Sequence, residues 1–146
     1  MRLLLDSHTL IWAVDDPTKL GSQAAVSLQE TDNDLLLNAA TIWEIAIKVG
    51  LGKLSLSMPY RQWMSQAIND IGVTVLPITV EYADVQAGLP GHHGDPFDWM
   101  LVAQACVEQV AIVSNDTAFD SYGVRRAYAS RPSTISACLM QACWAR

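Results

Sequence analysis

The sequence predicts an α/β domain built on a central, mainly parallel sheet, and three observations predict it. Short apolar runs, "RLLL" (2–5), "DLLLNAA" (34–40), "GVTVLPI" (72–78) and "VAIVS" (110–114), have the length and composition of buried strands. Segments with helical spacing separate them, and strands alternating with helices in this way point to a parallel sheet. The composition agrees: 146 residues, 51% hydrophobic and 16% charged, suffice for one domain with a sizeable core.

Taken in order, the first strand stops at Asp6, and "SHTLIWAV" then sets Leu10, Ile11 and Val14 at helical spacing before "DDPTKLG" closes the helix. "SQAAVSLQE" is a second helix, and "DLLLNAA" the second strand. "TIWEIAIKVG" is a third helix with Ile42, Ile45, Ala46 and Val49 on one face and Gly50 as its stop. After the loop "LGKLSLSMP", Pro59 starts the fourth helix, "YRQWMSQAIND". "GVTVLPI" is the third strand, "VEYADVQAG" the fifth helix and "LPGHHG" a loop of breakers. An apolar helix opens at "DPFDWMLVAQA", followed by the strand "VAIVS", the turn "NDTAFD" and a last strand at "GVRRAY". Residues 1–126 form the domain, and the alternation is lost in a C-terminal tail, 127–146, of unassigned structure.

Several classes are disfavoured. No apolar run reaches the roughly 18 residues that span a bilayer, and "MRLLLDSH" is not a signal peptide. Three cysteines (Cys106, Cys138, Cys143) without framework spacing fit a reduced, cytoplasmic protein, and Cys138 and Cys143 lack the neighbours of a zinc site. The net charge of −6 argues against a broadly basic nucleic-acid binder. That objection weakens if carboxylates are gathered on cations, or if a basic patch is local, as at Lys48 and Lys53 or Arg125 and Arg126.

Four acids occupy related positions. Asp6 ends the first strand, Glu44 lies in the first turn of the helix after the second strand, Asp98 opens the apolar helix, and Asp116 follows "VAIVS". Strand C-termini of a parallel sheet share one edge, where ligands sit, so the four can converge there. Each has an ordinary alternative as a helix cap or dipole partner: "TIWE" fits a capping box from Thr41 to Glu44, and "DPFD" fits Asp95 as N-cap with Pro96 at the first helical position. The collective reading is stronger. Helical spacing sets Asp98 over Leu101, Val102 and Ala105, where an unpartnered carboxylate is costly, and Lys48 is the only close cation for Glu44, as an i,i+4 pair. Gathered anions with oxygen-only donors suit Mg²⁺ or Mn²⁺.

The blocks "LLLDSHTLIWA", "AATIWEIAIKVGLGKL", "HHGDPFDWMLVAQA" and "IVSNDTAFDSYGV" together resemble the PIN-domain ribonucleases, in particular the VapC-type toxins of type II toxin–antitoxin pairs, over about residues 2 to 126. The resemblance implies a three-layer α/β/α domain and a Mg²⁺- or Mn²⁺-dependent endoribonuclease. It puts the catalytic, metal-holding quartet on Asp6, Glu44, Asp98 and Asp116. Asp95, Ser7 and Asn115 are accessory candidates, Asp95 fitting the cap better. It also implies an RNA substrate, a small antitoxin partner and a homodimer, for which Trp12, Trp43 and Trp63 are candidate contacts, with core packing as the more frequent fate of such side chains. Two departures stand out: Trp99 replaces the basic residue common after "DPFD", and the tail continues past the last strand.

Two rivals remain open on the residues alone. One is a phosphatase with Asp6 as nucleophile, which usually needs a second Asp two residues on, where this chain has His8. The other is a non-catalytic PIN-like binding module whose acids only cap helices. His8, His92 and His93 read as solvated side chains, with general-acid catalysis as the less common alternative.

Overall fold

The computed structural model describes residues 1–92 and 94–128. Strands β1 (Arg2–Leu5), β2 (Asp34–Asn38), β3 (Thr74–Leu76) and β4 (Ala111–Val113) form one sheet in the order β3-β2-β1-β4. Every pairing is parallel, with Leu3 opposite both Leu35 and Ala111, and Leu37 opposite Val75. The crossovers carry helices α1 (Ser7–Asp15), α2 (Ser22–Gln29), α3 (Ala39–Gly50), α4 (Tyr60–Ile71), α5 (Val80–Ala87) and α6 (Pro96–Glu108).

The leucine-rich strands are apolar throughout because both sheet faces are covered. Period-two alternation sends Leu3, Leu5, Leu35, Leu37 and Val113 to one face, against Leu10, Ile45 and Trp63 of α1, α3 and α4. Leu4, Leu36 and Ile112 meet Leu101, Val102 and Ala105 of α6 on the other, together with Phe119 and Tyr122 of a 3₁₀ turn (Thr117–Tyr122). This is the expected α/β/α sandwich. Each fully buried leucine contributes roughly 1.5–3 kcal/mol relative to exposure.

Four local expectations are corrected. First, α3 begins at Ala39, because Asn38 ends β2 and its side chain accepts the Ala40 N–H at 2.8 Å. Asn is a better N-cap than Thr. Thr41 is therefore a buried residue inside the helix rather than its cap, and Glu44 lies in the second turn. Secondly, "GVTVLPI" yields only Thr74–Leu76, since Gly72 closes α4 at φ 73° and Pro77 has no N–H for a further ladder bond. Thirdly, the expected strand at "GVRRAY" is a single parallel bridge between Ile112 and Arg126. There Ile112 donates to the Arg125 carbonyl, and Ala127 donates to Ile112, both at 2.8 Å. Fourthly, Trp63 is a core residue, fully buried, with its indole N–H donating to Asp15 Oδ1 at 2.9 Å, so it cannot serve as a surface contact. Trp43 is 64% exposed, and Trp12 is half-buried beside the His8 ring.

Ala127 and Tyr128 still pack on the first core, and the Tyr128 hydroxyl donates to the Lys19 carbonyl at 2.9 Å. Gly21 permits this approach: a Cβ there would come within 2.8 Å of Tyr128 Cε1 and 2.9 Å of its carbonyl oxygen. The rest of the tail, with Cys138 and Cys143, lies outside the described residues. Among the described residues no helix is long and apolar enough to cross a membrane.

Candidate functional site

β1 leads outward to β2 and β3, and the chain then returns to lay β4 on the opposite side of β1. The connections thus diverge between β1 and β4. A crevice beyond the carboxyl ends of diverging strands is where open α/β sheets bind ligands.

Asp6 stands at that point and is 4% exposed. It caps α1, its Oδ1 accepting the Thr9 N–H at 2.7 Å. Its Oδ2 accepts the Ser114 hydroxyl in a short hydrogen bond across from the end of β4. The Ser114 oxygen in turn accepts the Asp116 N–H at 3.0 Å, and Asp116 Oδ1 caps the 3₁₀ turn through the Ala118 N–H at 2.8 Å. Thr9 donates its hydroxyl to the Val113 carbonyl at 2.7 Å, which stitches the start of α1 to the end of β4. Asp6 and Asp116, distant in sequence, are therefore joined through one serine hydroxyl.

Glu44 enters from α3 with 2% exposure. Its Oε1 accepts two bonds, from the Ser7 hydroxyl at 3.2 Å and from the Lys48 ammonium at 2.6 Å. Its Oε2 is buried and has no hydrogen-bond partner. A carboxylate oxygen buried without a partner is expensive, and a cation is the usual remedy.

Asp98 is half-buried in the first turn of α6, over Leu101, Val102 and Ala105, all of which are buried. Asp95 is the N-cap, its Oδ1 accepting the Phe97 N–H at 2.9 Å, with Pro96 following as expected. The neighbouring Phe97 packs edge-on against Trp43, ring centres 5.7 Å apart, which brings the start of α6 against the early turns of α3. The hydrogen bonds form two sets, Asp6–Ser114–Asp116 and Ser7–Glu44–Lys48, which only the Asp6–Ser7 peptide link makes into one network, while the Phe97–Trp43 contact sets the start of α6, with Asp95 and Asp98, against α3.

Other candidates fall outside that network. Asn115 is exposed; the adjacent Ser114, fully buried, is the residue that engages the acids. His8 is exposed beside Trp12, His92 is exposed against the Tyr122 ring at 5.2 Å, and His93 lies outside the described residues. Trp99 packs against the second core. Ser114 was legible only as a hydroxyl closing the apolar run "VAIVS", a position facing the strand-end crevice.

The donor chemistry fits a hard divalent cation: carboxylate oxygens of Asp6, Glu44, Asp98 and Asp116, with the orphaned Glu44 Oε2 among them. In this arrangement hydroxyls, backbone amides and the Lys48 ammonium satisfy the other bonded oxygens, and among the described residues no group of three or more His, Cys, Asp or Glu is already spaced as a ligand set.

The PIN domain family model matches residues 3–124. Ribonuclease VapC22 of Mycobacterium tuberculosis (strain ATCC 25618 / H37Rv) is 27% identical over 121 residues, covering 82% of this chain and 91% of that protein. The crystal structure of VapBC2 from Rickettsia felis, bound to a DNA fragment from their promoter, superposes with TM-score 0.60 at 14% identity, over 83% of this chain and 92% of that one. FitAcB from Neisseria gonorrhoeae gives 0.59 at 17% identity, over 86% and 96%. At such identities these two structures speak for the fold alone. The family match spans nearly the whole described domain, from β1 through the 3₁₀ turn that Asp116 caps, and the chain belongs to the PIN domain family.

Proposed function

We propose that this chain is an endoribonuclease that hydrolyses RNA phosphodiester bonds with Mg²⁺ or Mn²⁺, and that it is the toxin of a toxin–antitoxin pair. The observation that carries the reading lies at the sheet's switch point, where Ser114 joins Asp6 to Asp116, the adjacent Ser7 holds Glu44, and one buried carboxylate oxygen of Glu44 is left over. Asp6, Glu44, Asp98 and Asp116 would hold the cation. When bound, it supplies Lewis acidity, which activates water for attack on a phosphodiester and offsets charge on the leaving oxygen. The protein's share is preorganisation: Asp6 is fixed by its cap and by Ser114, and Glu44 by Ser7 and Lys48.

An RNA substrate, an antitoxin partner, a homodimer and a cytoplasmic setting belong to the same reading, supported by likeness to a protein named as a VapC ribonuclease. Trp43, exposed next to Glu44, remains a candidate contact for such partners. A phosphatase with Asp6 as nucleophile is disfavoured, because the position two residues on, where that chemistry usually needs a second Asp, is His8, exposed beside Trp12.

The test is incubation of wild type and Asp98→Ala with total RNA, in Mg²⁺ and in EDTA, followed by mapping of cleaved ends. The reading expects discrete cleavage by wild type in Mg²⁺ alone. Wild-type protein that leaves RNA intact in Mg²⁺ and Mn²⁺ would favour the binding module instead.

A further inference from the structure

We infer that Lys48 is a positioning residue for the cation site: with Ser7 it holds one oxygen of Glu44 and so reserves the other for the metal. The inference rests on the metal-dependent reading above and assigns a division of labour between the two oxygens of one carboxylate.

The two oxygens of Glu44 are treated differently. Oε1 receives both available donors, the Lys48 ammonium at 2.6 Å and the Ser7 hydroxyl at 3.2 Å. Oε2, on the same 2%-exposed residue, receives none. Two donors on one oxygen fix the rotation of the carboxyl group, and the unserved oxygen is then presented in one orientation. Carboxylates that ligate metals are commonly held in this way by hydrogen bonds on the side away from the ion.

Lys48 has a simpler alternative role. It sits in the last turn of α3, four residues after Glu44, where a lysine meets the helix dipole and pairs with an acid. That role needs only a surface pair. Here the glutamate side chain is 3% exposed and the lysine 35%, so the pair reaches from solvent into the site. It also shares its acceptor with Ser7, whose neighbour Asp6 is the first acid of the quartet. A device that only stabilised a helix would leave cation affinity untouched.

The competing possibility has the opposite sign. If the ammonium stood in for the divalent ion, removing it would tighten metal binding. The orphaned Oε2 argues for positioning, since a stand-in cation would be expected to serve both oxygens.

The experiment measures Mn²⁺ affinity by calorimetry on the full chain, for wild type, Lys48→Met, Lys48→Arg, Glu44→Gln and the double variant Glu44→Gln/Lys48→Met. Outer partners of metal ligands typically contribute about 10–100-fold in affinity. Lys48→Met is therefore expected to bind Mn²⁺ at least about tenfold more weakly, and Lys48→Arg to recover most of the loss. In the Glu44→Gln background Lys48→Met should have no further effect, because Lys48 acts through Glu44. Should Lys48→Met fail to fold, Ser7→Ala replaces it in the same cycle, with a smaller loss expected. Unchanged or tighter binding by Lys48→Met overturns the inference, as does an equal loss in the Glu44→Gln background. Wild type that binds no Mn²⁺ overturns the metal reading itself, and this inference with it.

Discussion

Ser114→Ala tests the hydrogen-bond network where it is most exposed to a single change. The hydroxyl is buried and does two things: it donates to Asp6 Oδ2 and accepts the Asp116 N–H at 3.0 Å. Loss of a hydrogen bond to a charged group costs about 1.5–3 kcal/mol, and a stranded, partly buried N–H adds about 1 kcal/mol. The variant should therefore be roughly 2.5–4 kcal/mol less stable in EDTA, a large fraction of a domain's total stability. Urea denaturation followed by circular dichroism reads this as a lower midpoint with an unchanged slope. Saturating Mn²⁺ should reduce the difference, because a cation at the site satisfies the Asp6 oxygen that the mutation leaves bare. A loss below about 0.5 kcal/mol, the range of ordinary surface substitutions, would refute the claim that Ser114 joins the two acids.

Two further outcomes concern the scaffold. Tyr82 donates to Glu108 Oε1 at 2.5 Å, and Arg2 donates to Glu108 Oε2 at 2.9 Å. The bond to Glu108, followed by burial, pushes the Tyr82 phenol up to about 12, while Tyr82 and Arg2 hold the Glu108 carboxyl below its ordinary range. The Tyr82 contribution is fully present below about pH 10, its ordinary value, and is lost as pH rises through about 12. The Glu108 contribution is present above its ordinary value and is lost as pH falls. Tyr82→Phe should therefore flatten both limbs of a stability–pH profile, and an alkaline limb identical to wild type would contradict the assignment. At the end of α6, Gln109 adopts φ 55°, a left-handed conformation that suits glycine. Gln109→Gly should raise stability by about 1 kcal/mol, read as a higher melting temperature, and an unchanged or lower one would count against strain there.

Much of the fold was readable because it rests on two periodicities. "RLLL" and "DLLLN" are near-continuous apolar runs, as strands covered on both faces are, and the helix-length segments between them favour parallel crossovers. Boundaries were less readable where two residues of similar type compete. Asn38 and Thr41 can each cap a helix, and only the end of the β2 ladder decides in favour of Asn38. "GVRRAY" has strand composition, yet it pairs only at Arg126, whose guanidinium bonds Asp120 at 3.0 Å and the Ser114 carbonyl at 3.1 Å. Asp6, Glu44, Asp98 and Asp116 could be picked out as strand-end and helix-start acids. The partners that tie Asp6 to Asp116 could not, because a hydroxyl such as Ser114 has no pattern of its own in a sequence. Its role appears only when β1 and β4 lie side by side.

The central claim is that acids from distant parts of the chain act together on one divalent cation, and Asp6→Asn tests it most directly. Asparagine caps a helix as well as aspartate, so the bond from the Thr9 N–H and the fold should persist. What is lost is the negative charge. Metal catalysis contributes several kcal/mol of transition-state stabilisation, so RNA cleavage at saturating Mg²⁺ should fall at least about 100-fold while circular dichroism stays that of wild type. Near-full cleavage by folded Asp6→Asn protein would contradict the account.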